Sequence, residues 1–471
     1  MHIAFCSSEV FPYAKTGGMA DVCGALPIAL NKIGLKVSIF VPKYQSVDKV
    51  PGEITQINDF LFKTKLNNQV DVYLIANNYF YHRNGVYGDQ YGDFRDNLDR
   101  FVFFCQKILE SIKILELDVD VLHCHDWQTS LIPVYIKERY SNDERIKKIK
   151  TLLTLHNVAY QGNFNRQEFN KIGLDGRLFS DWCLEFFGGI NLLKAGILFS
   201  DEINTVSQKY AQEIKTREYG YRLDGVLNKK RQKIIGILNG IDYEVWSPDK
   251  DEYLPVKYSA NDYLEGKKQN KRLLQERVNL PQREDVPVYG FVGRLSQQKG
   301  IDLLLSSLDE MLKADIQVVI QGVGEGRYCN ALLEKQRHYR DKLAVYIEFG
   351  EQLAHQIYAG SDMFLMPSIY EPCGLSQMIS LRYGTIPVVF FTGGLADTII
   401  NDDDSSGKGN GFIFYNYNRN DFINVIWRSL GKYKHDKEGF EYLKNNALRL
   451  NFSWDVSAQK YKEVYKCLLS A

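Results

Sequence analysis

The chain contains 471 residues, and its 58 basic and 58 acidic side chains give a formal net charge of zero. Because binders of nucleic acid or of anionic membranes carry a basic excess, this balance argues against both kinds of partner. Hydrophobic residues make up 45% of a chain that is long enough for two domains, so each half can bury a core.

The longest apolar runs, such as Val388–Phe391, are far shorter than the ~20 residues that cross a bilayer. The eight cysteines form no Cys-x-x-Cys pair, and the N-terminus runs into an apolar segment without a basic leader. We therefore expect a cytoplasmic protein with reduced cysteines and no signal peptide.

Short apolar runs alternate with segments of helical spacing, which predicts layered α/β domains with parallel sheets. In the first half, the predicted elements are Ile3–Cys6, helix Ala25–Ile33, Lys36–Val41, helix Phe101–Ile112, Val119–His123 and Thr151–Thr154. In the second half, they are Val288–Val292, helix Ile301–Lys313, Ile316–Ile320, helix Ala331–Tyr339, Ala344–Ile347, Met363–Met366, helix Gln377–Arg382 and Ile386–Phe390.

Two polar segments, Trp246–Asp251 and Lys267–Arg272, separate the halves, and strand signals thin out in the same region. The sequence therefore predicts a domain boundary near residues 240–250. We place one domain over 1–244 and the other over 245–455.

The segment Lys15–Asp21 follows the first predicted strand and its loop. Its two glycines allow backbone N–H groups to approach an anion, a helix begins there with its positive end, and Lys15 adds a full charge. A phosphate site and an ordinary Gly-Gly turn with a solvated lysine both fit this spacing, which is not that of a P-loop. Nearly the same hexapeptide begins at Thr16 and at Thr392, which favours two similarly built domains facing one cleft.

The loop Gly293–Gly300 follows the strand Val288–Val292, so Arg294 lies at the carboxyl edge where open α/β sheets bind ligands. Lys299 lies at the entrance of the next helix. Two cations and a helix N-terminus can neutralise a diphosphate without a metal ion. The alternative is a surface arginine and a surface lysine on an ordinary loop.

The segment Glu371–Gln377 follows the strand Met363–Met366. Its proline and glycine indicate a tight loop that holds Glu371 at the same edge, while Ser376 and the Leu375 amide open the next helix. A carboxylate there can bind sugar hydroxyls or stabilise an oxocarbenium charge. The alternative is a glutamate that only favours the helix N-terminus.

Two further segments, His123–Gln128 and His156–Gly162, follow strands of the first half. The first contains His, Cys and Asp side chains, but adjacent strand residues point to opposite faces, and no second cluster has zinc-type spacing. We therefore expect no metal. Trp127 can lie against a sugar ring, and core packing is the alternative.

Together these segments resemble the bacterial glycogen synthase and plastid starch synthase family of glucosyltransferases. The resemblance runs nearly end to end and is carried by Lys15–Val22, His125–Gln128, His156–Gly162, Gly236–Asp242, Arg294–Lys299, Pro367–Leu375 and Thr392–Leu395. It implies a GT-B fold, with two Rossmann-like domains whose parallel sheets face an inter-domain cleft. It also implies a C-terminal helix over 456–471 that crosses back to the first domain.

The resemblance further implies the roles of individual residues. Catalytic roles fall on Lys15, His156, Arg294, Lys299 and Glu371. Substrate-binding roles fall on Gly18, Asp21, Asp126, Trp127, Asn157, Asn239, Phe349, Cys373, Gly374, Leu375 and Ser376. Among them, His156 would lie beneath the reacting anomeric carbon, Glu371 would hold the donor glucose, and Phe349 would stack on the nucleobase.

The family implies glucosyl transfer from ADP-glucose to the non-reducing 4-OH of an α-1,4-glucan (glycogen), with retention and without a cofactor or metal. Many retaining GT-B transferases carry a second glutamate where this chain has Ile379, and no carboxylate pair ~5 Å apart is evident. We therefore expect the departing phosphate to take the acceptor proton while cations stabilise the diphosphate. Only the resemblance favours ADP-glucose over UDP-glucose, and the aromatic stretch Tyr79–Tyr87 fits glucan stacking and ordinary packing equally well.

Other classes of protein are alternatives to this function. Another retaining GT-B transferase would move a different sugar, and a glucan phosphorylase would be far longer and carry a pyridoxal phosphate lysine. An NAD-dependent oxidoreductase needs a glycine fingerprint followed by an acid ~20 residues on, and in Gly322–Arg327 an arginine replaces the third glycine. A catalytically silent sugar-nucleotide-binding or glucan-binding protein would be favoured by loss of the cations that bind phosphate. This chain keeps Lys15, Arg294 and Lys299.

Overall fold

The computed structural model describes residues 1–229 and 234–470, which form two compact units. Unit 1 comprises Met1–Gly240 and Trp454–Ala471, and unit 2 comprises Ile241–Ser453. Each unit has a parallel sheet with helices, which confirms the predicted α/β class. Within the described ranges, no helix is both long and apolar enough to cross a bilayer.

The strands of unit 1 are β1 (His2–Cys6), β2 (Lys36–Pro42), β3 (Thr55–Gln56), β4 (Leu61–Leu66), β5 (Val70–Ile75), β6 (Gly88–Asp89), β7 (Gly92–Asp93), β8 (Val121–His125), β9 (Lys150–Leu155), β10 (Asn163–Phe164), β11 (Glu185–Phe186), β12 (Gly189–Asn191), β13 (Glu202–Thr205) and β14 (Ile235–Gly236). The main sheet has the order β14-β13-β9-β8-β1-β2-β5-β4-β3. The strands from β14 to β5 are parallel, and β4 and β3 extend the sheet in antiparallel fashion. Central strands such as β1 and β8 are buried along their whole length, as continuous runs in parallel sheets are.

The numbered helices of unit 1 before its last strand are α1 (Gly18–Lys32), α2 (Asn78–Tyr81), α3 (Asn97–Ile114), α4 (Leu131–Glu138), α5 (Leu192–Phe199), α6 (Gln208–Glu213) and α7 (Asp224–Lys229). The prediction that a helix begins at the glycine pair of Lys15–Asp21 is confirmed, whereas the predicted segment Ala25–Ile33 covers only the second half of this helix. Gly24 and Pro27 lie inside this helix and obscured its pattern. Gly24 is required there, because an added Cβ would lie 2.6 Å from the Phe11 carbonyl oxygen.

The predicted strand Val119–His123 was also displaced, since β8 covers Val121–His125. Its start is set by pairing with β1, in which Ile3 lies opposite Val121. The preceding Asp120 instead accepts the His2 backbone N–H through its carboxylate at 2.7 Å. This shift places His125 at the carboxyl end of the strand.

Unit 2 contains a six-stranded, fully parallel sheet within the described residues. Its strands are β15 (Val288–Val292), β16 (Gln317–Gln321), β17 (Leu343–Tyr346), β18 (Met363–Met366), β19 (Ile386–Phe390) and β20 (Phe412–Phe414), in the order β17-β16-β15-β18-β19-β20. Its helices are α8 (Tyr263–Arg277), α9 (Ile301–Met311), α10 (Gly326–His338), α11 (Glu351–Gly360), α12 (Ser376–Arg382), α13 (Gly393–Thr398), α14 (Arg419–His435) and α15 (Lys437–Arg449).

The C-terminal helix α16 (Trp454–Ser470) belongs to unit 1 and packs against α1. The apolar core of unit 1 includes Tyr461 and Tyr465 from this helix. The Ser457 hydroxyl donates to the Leu238 carbonyl at 2.7 Å, and Lys462 Nζ donates to the Ile33 carbonyl, the C-cap of α1, at 3.0 Å. The end of the chain therefore completes the core of unit 1.

The charged run Lys267–Arg272, interpreted as part of a polar boundary, lies inside α8, so that interpretation was wrong. Lys267 is buried, and its Nζ donates to the carbonyl oxygens of Ala359 at 3.0 Å and Tyr383 at 3.2 Å and to Thr385 Oγ1 at 2.7 Å. These carbonyls lie at the carboxyl ends of α11 and α12. A lysine thus supplies the N–H groups that two helix ends lack.

We expect Lys267→Met to destabilise unit 2 by at least about 2 kcal/mol, because it leaves two buried helix-end carbonyls without this donor. The measurement is the thermal and urea unfolding of the full chain. The matched control is Lys268→Met, since Lys268 is exposed and pairs with Glu284 at the surface. Equal effects of the two substitutions would show that the buried contacts contribute little.

Candidate active site

A reversal of strand order marks one position in each sheet. In unit 1, the chain proceeds from β1 through β2 to β5, and later builds β8, β9, β13 and β14 on the other side of β1. The loops that follow β1 and β8 therefore diverge, and ligands bind at such points in open α/β sheets. In unit 2, the same reversal lies between β15 and β18. The predicted Lys15, Asp126, Arg294 and Glu371 lie on the four loops that follow these strands.

A buried carboxylate, Glu9, organises the loop after β1. It accepts hydrogen bonds from the backbone N–H and the hydroxyl of Thr16, from the Gly17 N–H at 3.1 Å and from the Tyr87 hydroxyl at 2.7 Å. These bonds fix the backbone at the amino end of α1. Glu9 was not predicted, although an acidic residue shortly after a strand and before a Gly-Gly pair was an available signal.

The glycine pair at the start of α1 is open. An added Cβ at Gly17 or Gly18 would meet no heavy atom within 4 Å, and neither residue has a positive φ. Neither packing nor conformation therefore requires glycine here, which leaves space for a ligand to approach the backbone. Beside the pair, Lys15 Nζ lies 2.6 Å from Asp21 Oδ1, and the Lys15 side chain is 45% exposed. Asp21 thus holds this cation at the helix amino end.

The predicted Asp126, His156 and Asn157 meet directly. Asp126 Oδ1 accepts the His156 backbone N–H at 2.7 Å. Burial raises the pKa of the Asp126 carboxyl to about 7, against the lowering effect of the backbone N–H groups of His156 and Asn157. The charge of the nearby Glu9 also raises this pKa. Asp126 therefore connects the loop after β8 with the loop after β9.

His156 is an uncharged side chain at neutral pH. Burial lowers the pKa of its imidazole to about 3, whereas a free histidine titrates near 6.5. Its Nε2 lies 2.9 Å from Nδ1 of His125, the last residue of β8. The buried Trp127 indole packs edge-on against Phe101 and Phe164, with ring centroids 5.0 and 5.8 Å away. Aromatic packing therefore holds this indole in place.

The two loops at the strand-order reversal of unit 2 are tied together. Gly300 has φ of 73°, and an added Cβ there would lie 1.9 Å from the Pro367 carbonyl oxygen, so only glycine fits. The Ile369 N–H donates to the Gln298 carbonyl at 2.9 Å. Arg294 is exposed, lies 3.4 Å from Gln298 Oε1 and forms no ion pair within the described ranges. Its charge is therefore available to an anion.

Lys299 and Glu371 form an ion pair across these loops, with Nζ 2.5 Å from Oε2. Glu371 is buried and also accepts the Ser368 hydroxyl at 3.1 Å. An ammonium group has three N–H donors, so this pair leaves others for a ligand. The structure thus brings together two residues that were predicted to act on different parts of one substrate.

Two glycines after β19 hold the loop that carries Glu371. An added Cβ at Gly393 would lie 2.0 Å from the Glu371 carbonyl oxygen, and one at Gly394 would lie 1.8 Å from the Cys373 carbonyl oxygen. The Gly394 N–H donates to the Glu371 carbonyl at 3.0 Å. Both glycines are therefore required by close backbone packing.

The remaining predicted residues of this loop lead into α12. Gln377 Nε2 donates to the carbonyl oxygens of Cys373 at 2.9 Å and Gly374 at 3.2 Å. Leu375 directly precedes α12, and Ser376 is its first residue. Their amides therefore lie at a helix amino end, where backbone N–H groups have no intrahelical acceptor.

Other predicted residues lie on separate loops. Phe349 is 88% exposed on the loop after β17, and Asn239 is buried on the segment after β14. The aromatic stretch Tyr79–Tyr87 contains both exposed and packed side chains. Tyr79 is 77% exposed, whereas Tyr81 is buried and the Tyr87 hydroxyl donates to Glu9. Within residues 1–229 and 234–470, no group of three or more His, Cys, Asp and Glu side chains is arranged to hold a metal ion.

The two α/β units with parallel sheets, together with the similarity to a solved starch synthase structure and to a glycosyl transferase family model, identify a glycosyltransferase of the GT-B class. Residues 2–229 match the family model of the starch synthase catalytic domain, and residues 274–447 match that of the glycosyl transferases group 1. The chain therefore belongs to the glycogen and starch synthase family of hexosyltransferases, as the sequence resemblance predicted.

Individual relatives agree with this assignment. The glycogen synthase of Thermosipho africanus is 43% identical, with alignment over 100% of this chain and 99% of that protein. The glycogen synthase of Moorella thermoacetica is 44% identical over 99% of this chain and 96% of that protein. The catalytic domain of starch synthase IV from Arabidopsis thaliana, bound to ADP and acarbose, has a TM-score of 0.90 and 31% identity and covers 100% of this chain and 99% of its own.

The raised pKa of Asp126 predicts a pH-dependent stability. The pKa of the Asp126 carboxyl is about 7 in the folded state and about 3.9 in the unfolded state, so the folded state holds more protons between these values. Stability therefore falls as pH rises from about 4 to 7, by at most about 1.4 kcal/mol per pH unit.

Urea unfolding of the wild type and of Asp126→Asn, measured from pH 5 to pH 8, checks the sign of this change of stability with pH. The asparagine has no titrating group but keeps an oxygen for the His156 N–H. We expect the stability of the wild type relative to the variant to decline with rising pH up to about 7. Parallel pH profiles would contradict the prediction.

Proposed function

We propose that the protein transfers glucose from ADP-glucose to the non-reducing 4-OH of an α-1,4-glucan, with retention of the anomeric configuration. The observation that carries this proposal is the Lys299–Glu371 ion pair at the strand-order reversal of unit 2, with the exposed Arg294 on the same loop as Lys299 and in no ion pair with a described residue. These groups combine cations for a diphosphate with a carboxylate for sugar hydroxyls. The ADP found with the starch synthase IV catalytic domain supports an adenine nucleotide.

In unit 2, Arg294 and Lys299 neutralise the diphosphate of the donor. Lys299 keeps its contact with Glu371 and directs a further N–H to a phosphate oxygen. Glu371 holds the glucose hydroxyls. The amides of Leu375 and Ser376 contact the diphosphate, Cys373 and Gly374 assist in binding glucose, and Phe349 stacks on the nucleobase.

In unit 1, Lys15 and the open backbone at Gly18 contact the diphosphate, and Asp21 positions the lysine. His156 lies beneath the anomeric carbon. The glucose pocket is shaped by Asp126, Trp127, Asn157 and Asn239. The open glycine pair supports this arrangement, because it leaves space for a ligand next to the backbone at the start of α1.

The carboxylates of the site are already engaged, which supports a mechanism without a protein nucleophile. Glu9 accepts four hydrogen bonds, Asp126 accepts backbone N–H groups, and Glu371 pairs with Lys299. In the proposed step, the bond from C1 to the phosphate oxygen breaks while the acceptor 4-OH oxygen bonds to C1 on the same face. The hydroxyl proton passes to the departing phosphate oxygen, so catalysis depends on stabilising the leaving ADP.

The activity is tested with purified protein, glycogen and either ADP-glucose or UDP-glucose, by following nucleoside diphosphate release and glucan elongation. We expect elongation with ADP-glucose, unchanged by a metal chelator. Arg294→Gln should lower kcat about 10²–10³-fold, as loss of one electrostatic donor does elsewhere. Arg272→Gln, which changes an exposed arginine of α8, is the control. An Arg294→Gln enzyme with full turnover would remove the basis of the phosphate assignment.

A second prediction concerns Gly18. Gly18→Ala should fold with unchanged or slightly higher stability, because the added methyl group meets no atom and alanine favours helices. Its kcat/KM should fall at least about tenfold, since the methyl group occupies the space proposed for the diphosphate. Gly431→Ala in α14, also open, is the matched control and should leave kcat/KM unchanged. Equal kcat/KM in both variants would contradict the role of Gly18.

A further inference from the structure

Three histidine rings form a continuous row inside unit 1. The ring centroids of His123 and His125 are 4.2 Å apart, and those of His125 and His156 are 5.2 Å apart. Phe5 stacks on His125 from the β1 side at 5.3 Å. Burial lowers the pKa of each histidine, so at neutral pH each ring carries one proton on one of its two nitrogens. The hydrogen-bond partners then decide which nitrogen carries it.

His123 has partners at both nitrogens. The Thr154 hydroxyl donates its proton to Asn204 Oδ1 at 2.6 Å, so the same oxygen can only accept from His123 Nε2, 2.6 Å away. Nδ1 of His123 is then an acceptor, and the Tyr465 hydroxyl donates to it at 2.8 Å. Both ring nitrogens of His123 therefore have hydrogen-bond partners, and neither of these partners is His125.

His125 has one nitrogen with a partner and one without. Nδ1 lies 2.9 Å from His156 Nε2, whereas the buried Nε2 finds no hydrogen-bond partner in the described part of the chain. If His156 Nε2 donated, the only proton of His125 would lie on this isolated Nε2, as a buried N–H without an acceptor. If His125 Nδ1 donates, Nε2 carries only a lone pair among aromatic rings. The second arrangement is favoured, because buried N–H groups without an acceptor are rare.

We propose that His125 is a positioning residue that donates from Nδ1 to His156 Nε2 and thereby fixes the proton of His156 on Nδ1. His156 Nδ1 makes no hydrogen bond to any described residue, and the side chain is only partly buried. The tautomer turns this nitrogen into an uncharged donor. Asp126 holds the backbone of the same residue through its N–H.

The catalytic consequence of this tautomer rests on the proposed function. A neutral N–H donor at His156 can bind an oxygen of the donor sugar, but it cannot accept a proton from the acceptor hydroxyl. It therefore agrees with a reaction in which the leaving phosphate takes that proton. The tautomer itself follows from the hydrogen-bond partners and does not depend on which sugar or nucleotide binds.

The tautomer is measured by ¹⁵N–¹H correlation spectra of the full chain labelled at its eight histidines. His156→Gln identifies the signals of His156 by their loss. In the wild type, we expect Nδ1 of His156 to be protonated and Nε2 to be unprotonated at pH 7. A proton on Nε2 would overturn the proposal, and this measurement needs no folded variant other than the one used for assignment.

Two variants separate positioning from general stability. His125→Phe keeps a ring but removes the donor, so His156 should lose its exclusive Nδ1–H form, and kcat should fall about 10–100-fold with little change in KM, as for other supporting partners. Tyr465→Phe removes another buried hydrogen bond of the same row and should leave the His156 tautomer and kcat unchanged. An unchanged tautomer in His125→Phe would also overturn the proposal.

The two proposals fail separately. If His156 carries its proton on Nδ1 but no glucan is elongated, the proposed function fails and the positioning role of His125 stands as a structural finding. If glucan is elongated but His156 carries its proton on Nε2, only the role of His125 is lost.

Discussion

The reversal of strand order is the constraint on which the site depends. Parallel pairing places Ile3 of β1 level with Val121 of β8, and Tyr289 of β15 level with Met363 of β18. The loops that follow each pair of strands therefore leave the sheet at the same height and then diverge. Backbone pairing alone therefore brings segments more than 60 residues apart in sequence to the same edge of each sheet. The side chains of the site are then fixed by contacts within and between these loops.

Those contacts give the acidic groups a supporting role. Glu9 binds backbone N–H groups before α1, Asp126 binds the backbone of His156, and Glu371 binds the Lys299 ammonium. Each carboxylate thus orients a donor or a cation. Within the described residues, Arg294 forms no ion pair and Lys299 keeps further N–H donors beside Glu371, so both cations suit a ligand that carries negative charge.

The sequence predicted the central strands Val288–Val292 and Met363–Met366 of unit 2 without error, because a buried parallel strand is a continuous apolar run. In unit 1, it placed the central strand β8 two residues too early. Prediction from the sequence failed where tertiary contacts decide whether a side chain is buried. The lysines of α8 indicated a surface, although Lys267 completes two helix ends in the interior. At the site, the cations could be named from motifs, but the role of Glu9 depends on the loop folding back onto it.

The repeated hexapeptide shows why a motif alone does not define a role. At Gly393 and Gly394, backbone carbonyl oxygens lie within 2.0 Å of an added Cβ, so the packing of the chain itself requires glycine. At Gly17 and Gly18, the same test finds open space, so the chain itself makes no such demand. The two copies therefore serve different constraints. Glycine in the second copy holds the loop of Glu371, whereas glycine in the first leaves the backbone at the start of α1 open to a ligand.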